Sequence, residues 1–257
     1  MTPSLSTISL DIQANIARIS LNHLPLNVIS IAMMDELTLA LTEIGHHEET
    51  STILISGQGN SFSAGVDVAA HTPENAGSML AKFHAVIRGL VASSSVTVAA
   101  VQGNCLGGGA ELAMVCDLVY TAESAQWGFP EIALGCFPPV ACTALAALVG
   151  QKRATELILT GRTICGREAA DIGLATRAVA DDKLQSEVEE TVGELSKLSS
   201  SSLTLTRKAI YAWDSVHFDK GLARAEKIYL EDLIRSADAR EGVNAFLQKR
   251  APRWTGR

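Results

Sequence analysis

Two carboxylates and a glycine triplet are the residues of this chain best suited to chemistry. Glu111 stands just behind Gly107-Gly108-Gly109, and Glu131 follows twenty positions later in the turn Gly128-Phe129-Pro130-Glu131. The apolar run from Val96 to Val101 reads as a buried strand leading into the triplet, and Ala110 to Cys116 as a helix leaving it. A strand, a glycine turn and a helix start aim backbone N–H groups and the positive end of the helix dipole at an anion. Between two carboxyl groups, such a turn could stabilise an oxyanion while one group takes a proton and the other delivers one. That is acid–base chemistry beside a carbonyl.

A second glycine turn, Ser61-Phe62-Ser63-Ala64-Gly65-Val66-Asp67, follows a short strand at Thr52 to Ser56. Gly65 permits a backbone angle that lets the next N–H point into a pocket. The stretch Ala99-Ala100-Val101-Gln102-Gly103, Leu106 to Gly109, Glu111-Leu112-Ala113, Cys116-Asp117 and Gly128 to Glu131 matches an ordered pattern: AAVNG, LGGG, ELA, CD and G-x-PE. With the A-G-x-D of the second turn, this set resembles the enoyl-CoA hydratase/isomerase (crotonase) superfamily. The resemblance implies an α/β fold, a crotonase-like spiral of ββα units over residues 1–180, then a helical trimerisation region over 181–257. It implies that the N–H groups of Val66 and Gly108 form an oxyanion hole for a thioester carbonyl. Glu111 and Glu131 fill both hydratase glutamate positions, with Glu131 handling the α-carbon proton and Glu111 activating water. Ala64, Asp67, Trp127, Phe129 and Pro139 are the expected substrate-binding residues.

The expected enzyme is therefore a hydro-lyase acting on an α,β-unsaturated acyl-CoA. It would hold no permanent cofactor or metal, coenzyme A entering as part of the substrate, and would assemble as a homotrimer or dimer of trimers. Enoyl-CoA isomerisation or another crotonase reaction is the nearest alternative, and a non-catalytic acyl-CoA-binding member a more distant one. The chain also departs from the family. Where many hydratases carry PGAGGTQRL, it has Pro138-Pro139-Val140-Ala141-Cys142, a stiffer wall. No Arg or Lys stands in Leu21 to Val28, and Ala69-Ala70-His71 follows A-G-x-D, so phosphate contacts are sought at Lys208 or Lys249. PLNVISIAMM together with FPEIALGCFPPVA resembles cyclohexa-1,5-diene-1-carbonyl-CoA hydratases, which points to a flat ring as acyl group.

The elements that must carry these residues follow from patterning. Ser6 to Leu10 and Ile16 to Leu21 alternate as a hairpin. Helical spacing predicts helices over Ile31 to Ile44 and Ala76 to Val91, then Cys142 to Leu148, Arg153 to Leu159 and Arg167 to Ile172, with Gly161 and Gly173 as stops. Leu118 to Thr121, Ala125 to Trp127 and Leu174 to Val179 read as strands, and strand–helix alternation predicts a parallel sheet. From Lys183 the pattern is helical: Leu184 to Leu198, Leu203 to Trp213, Gly221 to Leu233 and Asp238 to Leu247.

Composition bounds the rest. The chain has 257 residues, 47% apolar and 19% charged, with a net charge of −7, which argues against nucleic acid or an anionic membrane as partner. Five cysteines without CxxC, and an N-terminus lacking a basic and an apolar region, predict reduced thiols in the cytoplasm. The uncharged runs Gly89 to Ala110 and Ile132 to Gln151 carry Gly, Pro and polar residues that suit a buried core better than lipid.

Overall fold

The buried strand ahead of the glycine triplet runs through the middle of a six-stranded sheet. The computed structural model describes residues 5–211 and 215–255. The chain opens with the hairpin β1 (Ile8–Gln13) and β2 (Ile16–Leu21), then α1 (Ile31–His46), β3 (Thr52–Gly57), α2 (Ala76–Val91) and β4 (Val96–Val101). Next come β5 (Asn104–Leu106), α3 (Gly108–Met114), β6 (Leu118–Ala122), β7 (Gln126–Gly128), α4 (Pro139–Val149) and α5 (Gln151–Thr160). They are followed by β8 (Thr163–Cys165), α6 (Gly166–Asp171), β9 (Arg177–Val179), α7 (Leu184–Leu195), α8 (Ser200–Ile210), α9 (Ser215–Ile228) and α10 (Ala237–Leu247). The order in the large sheet is β1-β2-β3-β4-β6-β9, antiparallel in the hairpin and parallel thereafter. Every residue of β4 is buried, which explains why its sequence is a continuous apolar run rather than an alternation.

The expected sheet is supplemented by a second one. β5, β7 and β8 form a separate three-stranded layer, and the strands β5 and β8, three residues each, carry too little alternation to be legible. This small layer positions the site. Its register sets Leu106 opposite Gly128, and Gly107 N donates to Gly128 O at 2.9 Å, so the triplet and the Glu131 turn are brought side by side.

Several boundaries move for local reasons. Gly107, at φ 51 and ψ −127, turns the chain so that α3 begins at Gly108 rather than Ala110. The Glu131 turn continues as a 3-10 helix, Pro130–Leu134, stopped by left-handed Gly135. α4 starts at Pro139 rather than Cys142, because proline's fixed φ suits a first helical position. The helix expected over Gly221 to Leu233 ends at Ile228, and Tyr229–Leu233 forms a π-helical turn. Trp213, the expected end of α8, lies outside the described residues.

Asp117 and Arg207 clamp the C-terminal helices onto this frame. Arg207 Nε donates to Asp117 Oδ2 at 2.7 Å, and its other nitrogens donate to the carbonyls of Leu90, Val91 and Ser93. Asp117 Oδ2 also accepts from Thr97 N and Oγ1, which ties α8 to β4 and to the end of α2. Both side chains are about nine-tenths buried, and removing one partner leaves a buried charge uncompensated. Arg207→Ala is expected to cost about 3–5 kcal/mol, read as a lower urea midpoint with an unchanged slope. Among the described residues, no helix is long and apolar enough to cross a membrane, and no cluster of His, Cys, Asp or Glu could hold a metal ion.

Candidate active site

The two glycine turns meet at their backbones. Gly65 sits at φ +98, a conformation L side chains rarely adopt, and its loop is pinned by Ile29 N donating to Gly65 O and Asp67 N to Ile29 O. A methyl group at Gly65 would stand 3.4 Å from Gly108 N, and one at Gly108 would stand 3.4 Å from Val66 N and 2.7 Å from Val66 Cγ2. Only glycines allow this approach. The amides on either side are used internally: Gly65 N donates to Ser63 Oγ at 3.1 Å, Asp67 N to Ile29 O, and Gly107 N to Gly128 O. Val66 and Gly108 stand between them and line a cavity of about 390 Å³.

Both glutamates line that cavity. Glu111 is 3% exposed, and its Oε1 accepts from Val140 N at 2.8 Å and Ala141 N at 2.9 Å. Those are the first free amides of α4 after Pro139, so Glu111 caps a helix other than its own. Burial pushes its carboxyl up to about 7, with the two amides opposing. Glu131 sits in the first turn of its 3-10 helix, and Gly107 makes room for it: a methyl group there would stand 2.5 Å from Glu131 Oε1. Its Oε2 is buried with no hydrogen-bond partner. Burial, and then the charge of Glu111, raise Glu131 to about 8. The pair therefore binds a proton near neutrality that free carboxyls would release.

The sign of the linkage follows. Both carboxyls titrate higher in the folded chain than their ordinary 4.5, so the stability they leave intact below about pH 4.5 is lost as pH rises through about 7 to 8. Thermal unfolding of the ligand-free protein should show the melting temperature falling between pH 5 and 9. Glu131→Gln should flatten that fall, since only one carboxyl is then forced to ionise in the cavity. Identical pH slopes for wild type and variant would contradict the assignment.

Ala64, Val66, Gly108, Glu111, Glu131 and Pro139 are thus brought to one cavity. Asp67, Trp127 and Phe129, also expected as substrate-binding residues, lie outside its lining. Asp67 Oδ1 caps a 3-10 turn by accepting from Ala69 N, Trp127 is fully buried with Nε1 donating to Thr121 Oγ1, and Phe129 is 1% exposed in the core. Neither Lys208 nor Lys249 lines the cavity; Arg250 does, paired with Glu241 at 2.6 Å. Met79, Leu80 and Phe83 of α2, together with Phe137 and Tyr229, complete the wall and escaped the sequence reading. Tyr229 continues the buried stripe Leu222 and Ala225, a spacing that marks a buried face without saying what it faces.

A family model described as "Enoyl-CoA hydratase/isomerase" matches residues 11–257. Cyclohexa-1,5-dienecarbonyl-CoA hydratase of Thauera aromatica is 34% identical over 248 residues, covering 96% of each chain. A protein named "Probable enoyl-CoA hydratase" in Mycobacterium bovis is 35% identical over 234 residues, 90% of this chain and 91% of its own. The crystal structure of an enoyl-CoA hydratase from Mycobacterium avium subsp. paratuberculosis gives a TM-score of 0.89 at 25% identity, covering 98% of this chain and 100% of that one.

Proposed function

The chain belongs to the enoyl-CoA hydratase/isomerase family, and from that membership we propose that it adds water across the double bond of an α,β-unsaturated acyl-CoA through Glu111, Glu131 and the Val66 and Gly108 amides. It is an enzyme of the enoyl-CoA hydratase type, a hydro-lyase. The observation that carries the residue assignment is a pair of carboxyls in one cavity beside the glycine turns, one accepting two backbone amides and the other with a buried, unpartnered oxygen. The two amides receive the thioester oxygen and draw electron density from the β-carbon. Glu111, favoured as carboxylate by Val140 N and Ala141 N, takes a proton from water. The water oxygen bonds to the β-carbon, and the π electrons move onto the thioester oxygen as an enolate. Glu131, whose carboxyl burial and the charge of Glu111 keep protonated, delivers its proton to the α-carbon as the enolate collapses, and the sum is one water added.

A second reading narrows the acyl group to a flat ring. The stiff wall of Phe137, Pro138 and Pro139 closed by Tyr229 favours it, as does the name of the Thauera aromatica relative. The helices of residues 181–257 are assigned to a homotrimer or dimer of trimers, supported by Leu205 and Ile210 standing 66% and 60% exposed on α8. Free cysteines support a cytoplasmic setting.

An ultraviolet assay with crotonyl-CoA and cyclohexa-1,5-diene-1-carbonyl-CoA tests the reading. Turnover of the ring ester alone selects the cyclic substrate, and turnover of crotonyl-CoA selects general enoyl-CoA hydration. If neither ester loses its conjugated absorbance, the hydratase reading falls.

A further inference from the structure

One side chain on the cavity wall has no place in the scheme above. Tyr229 is 1% exposed, lines the same cavity as Glu111 and Glu131, and its hydroxyl has no hydrogen-bond partner. Five buried side-chain polar atoms among the described residues are unpartnered, and two of them, Glu131 Oε2 and Tyr229 Oη, belong to this wall.

The ring cannot easily turn to find another partner. It packs edge-on against Phe137, centroids 5.3 Å apart at 73°, and begins the π-helical turn that interrupts the C-terminal helices. The Cys136 thiol beside it donates to Leu134 O at 3.7 Å and offers the hydroxyl only a weak sulfur acceptor. Burial, then the neighbouring Cys136 thiol and after it Glu131 and Glu111, raise the phenol far above its ordinary value, so it stays a donor at any working pH. A buried hydroxyl without a partner is destabilising, and phenylalanine would fill the same space. Tyr229, Glu131 and Glu111 line one cavity, and a water or hydroxyl held there needs two to four polar partners.

We propose that the Tyr229 hydroxyl is a third hydrogen-bonding group of the site, holding the oxygen that enters as water and leaves as the product's β-hydroxyl. The role assigned to that oxygen rests on the hydration reading, but the contact itself can be tested by binding alone. Tyr229→Phe removes one oxygen and keeps the ring. Calorimetric titration of wild type and variant with 3-hydroxybutyryl-CoA and with butyryl-CoA separates hydroxyl recognition from general packing. The variant should bind the hydroxy ester about tenfold more weakly and the saturated ester within about twofold of wild type, with an equal or higher melting temperature. Equal losses on both esters, or no loss on either, would overturn the proposal. Wild-type turnover is read separately by ultraviolet absorbance, so a protein that discriminates the hydroxyl yet hydrates nothing refutes the hydratase reading and leaves the Tyr229 contact standing.

Discussion

Glu131→Gln is expected to lower kcat for hydration by about a thousandfold while leaving acyl-CoA binding close to wild type. General acid–base groups contribute about 10²–10⁴-fold, and this carboxyl combines a buried, unpartnered Oε2 with a pKa of about 8, suited to carrying a proton near neutral pH. The amide keeps the shape of the side chain and removes the transferable proton. Glu111→Gln should behave alike for a different reason. Its amide oxygen can still accept from Val140 N and Ala141 N, so α4 stays capped while the base that deprotonates water is gone. Because the carboxyls act on opposite ends of one double bond, the double variant should be barely worse than either single one. Stopped-flow loss of conjugated absorbance, run beside calorimetric binding of a saturated ester, measures both quantities. Retention of more than a tenth of wild-type kcat in either single variant would remove that glutamate from the proton transfers.

Gly65→Ala should be nearly as damaging without touching a carboxyl. The residue sits at φ +98, and an added methyl would lie 2.8 Å from Leu106 O and 3.4 Å from Gly108 N. An L side chain in that conformation is strained by about 1–3 kcal/mol. The contact is with backbone, so relief requires one glycine turn to move from the other, separating the Val66 and Gly108 amides. Loss of one oxyanion donor typically costs about 10²–10³ in kcat. Gly77→Ala is the matched control, since an added methyl on this α2 residue meets nothing within 4 Å. It should be neutral or slightly stabilising. If Gly65→Ala keeps its kcat, the oxyanion role assigned to these amides is lost.

These two experiments probe features that differed in how far the sequence revealed them. Long elements with strong periodicity were legible: α2 and β4 span the residues their patterns indicate, because each buries a continuous stripe or both faces against the core. Two of the short elements were not. β5 and β8 are three residues each, held in register by partners distant in the chain, and local composition carries no trace of that pairing.

The site divides along the same line. Residue types and spacing alone marked Glu111, Glu131, Gly65 and the glycine triplet, because the close approach of two backbones admits only glycine. The ordered motifs also placed the chain in its family. Which neighbours surround these residues was settled by packing. Trp127 and Phe129 flank the Glu131 turn in sequence yet point into the core, while Tyr229, almost a hundred positions on, reaches the cavity from a helical turn. The unequal hydrogen bonding of the glutamates is likewise invisible in the chain, since α4 presents two amides to Glu111 while Glu131 Oε2 is left without a partner. Local sequence records what a backbone can do at one place; burial and charge depend on residues brought from elsewhere, and only the folded chain brings them.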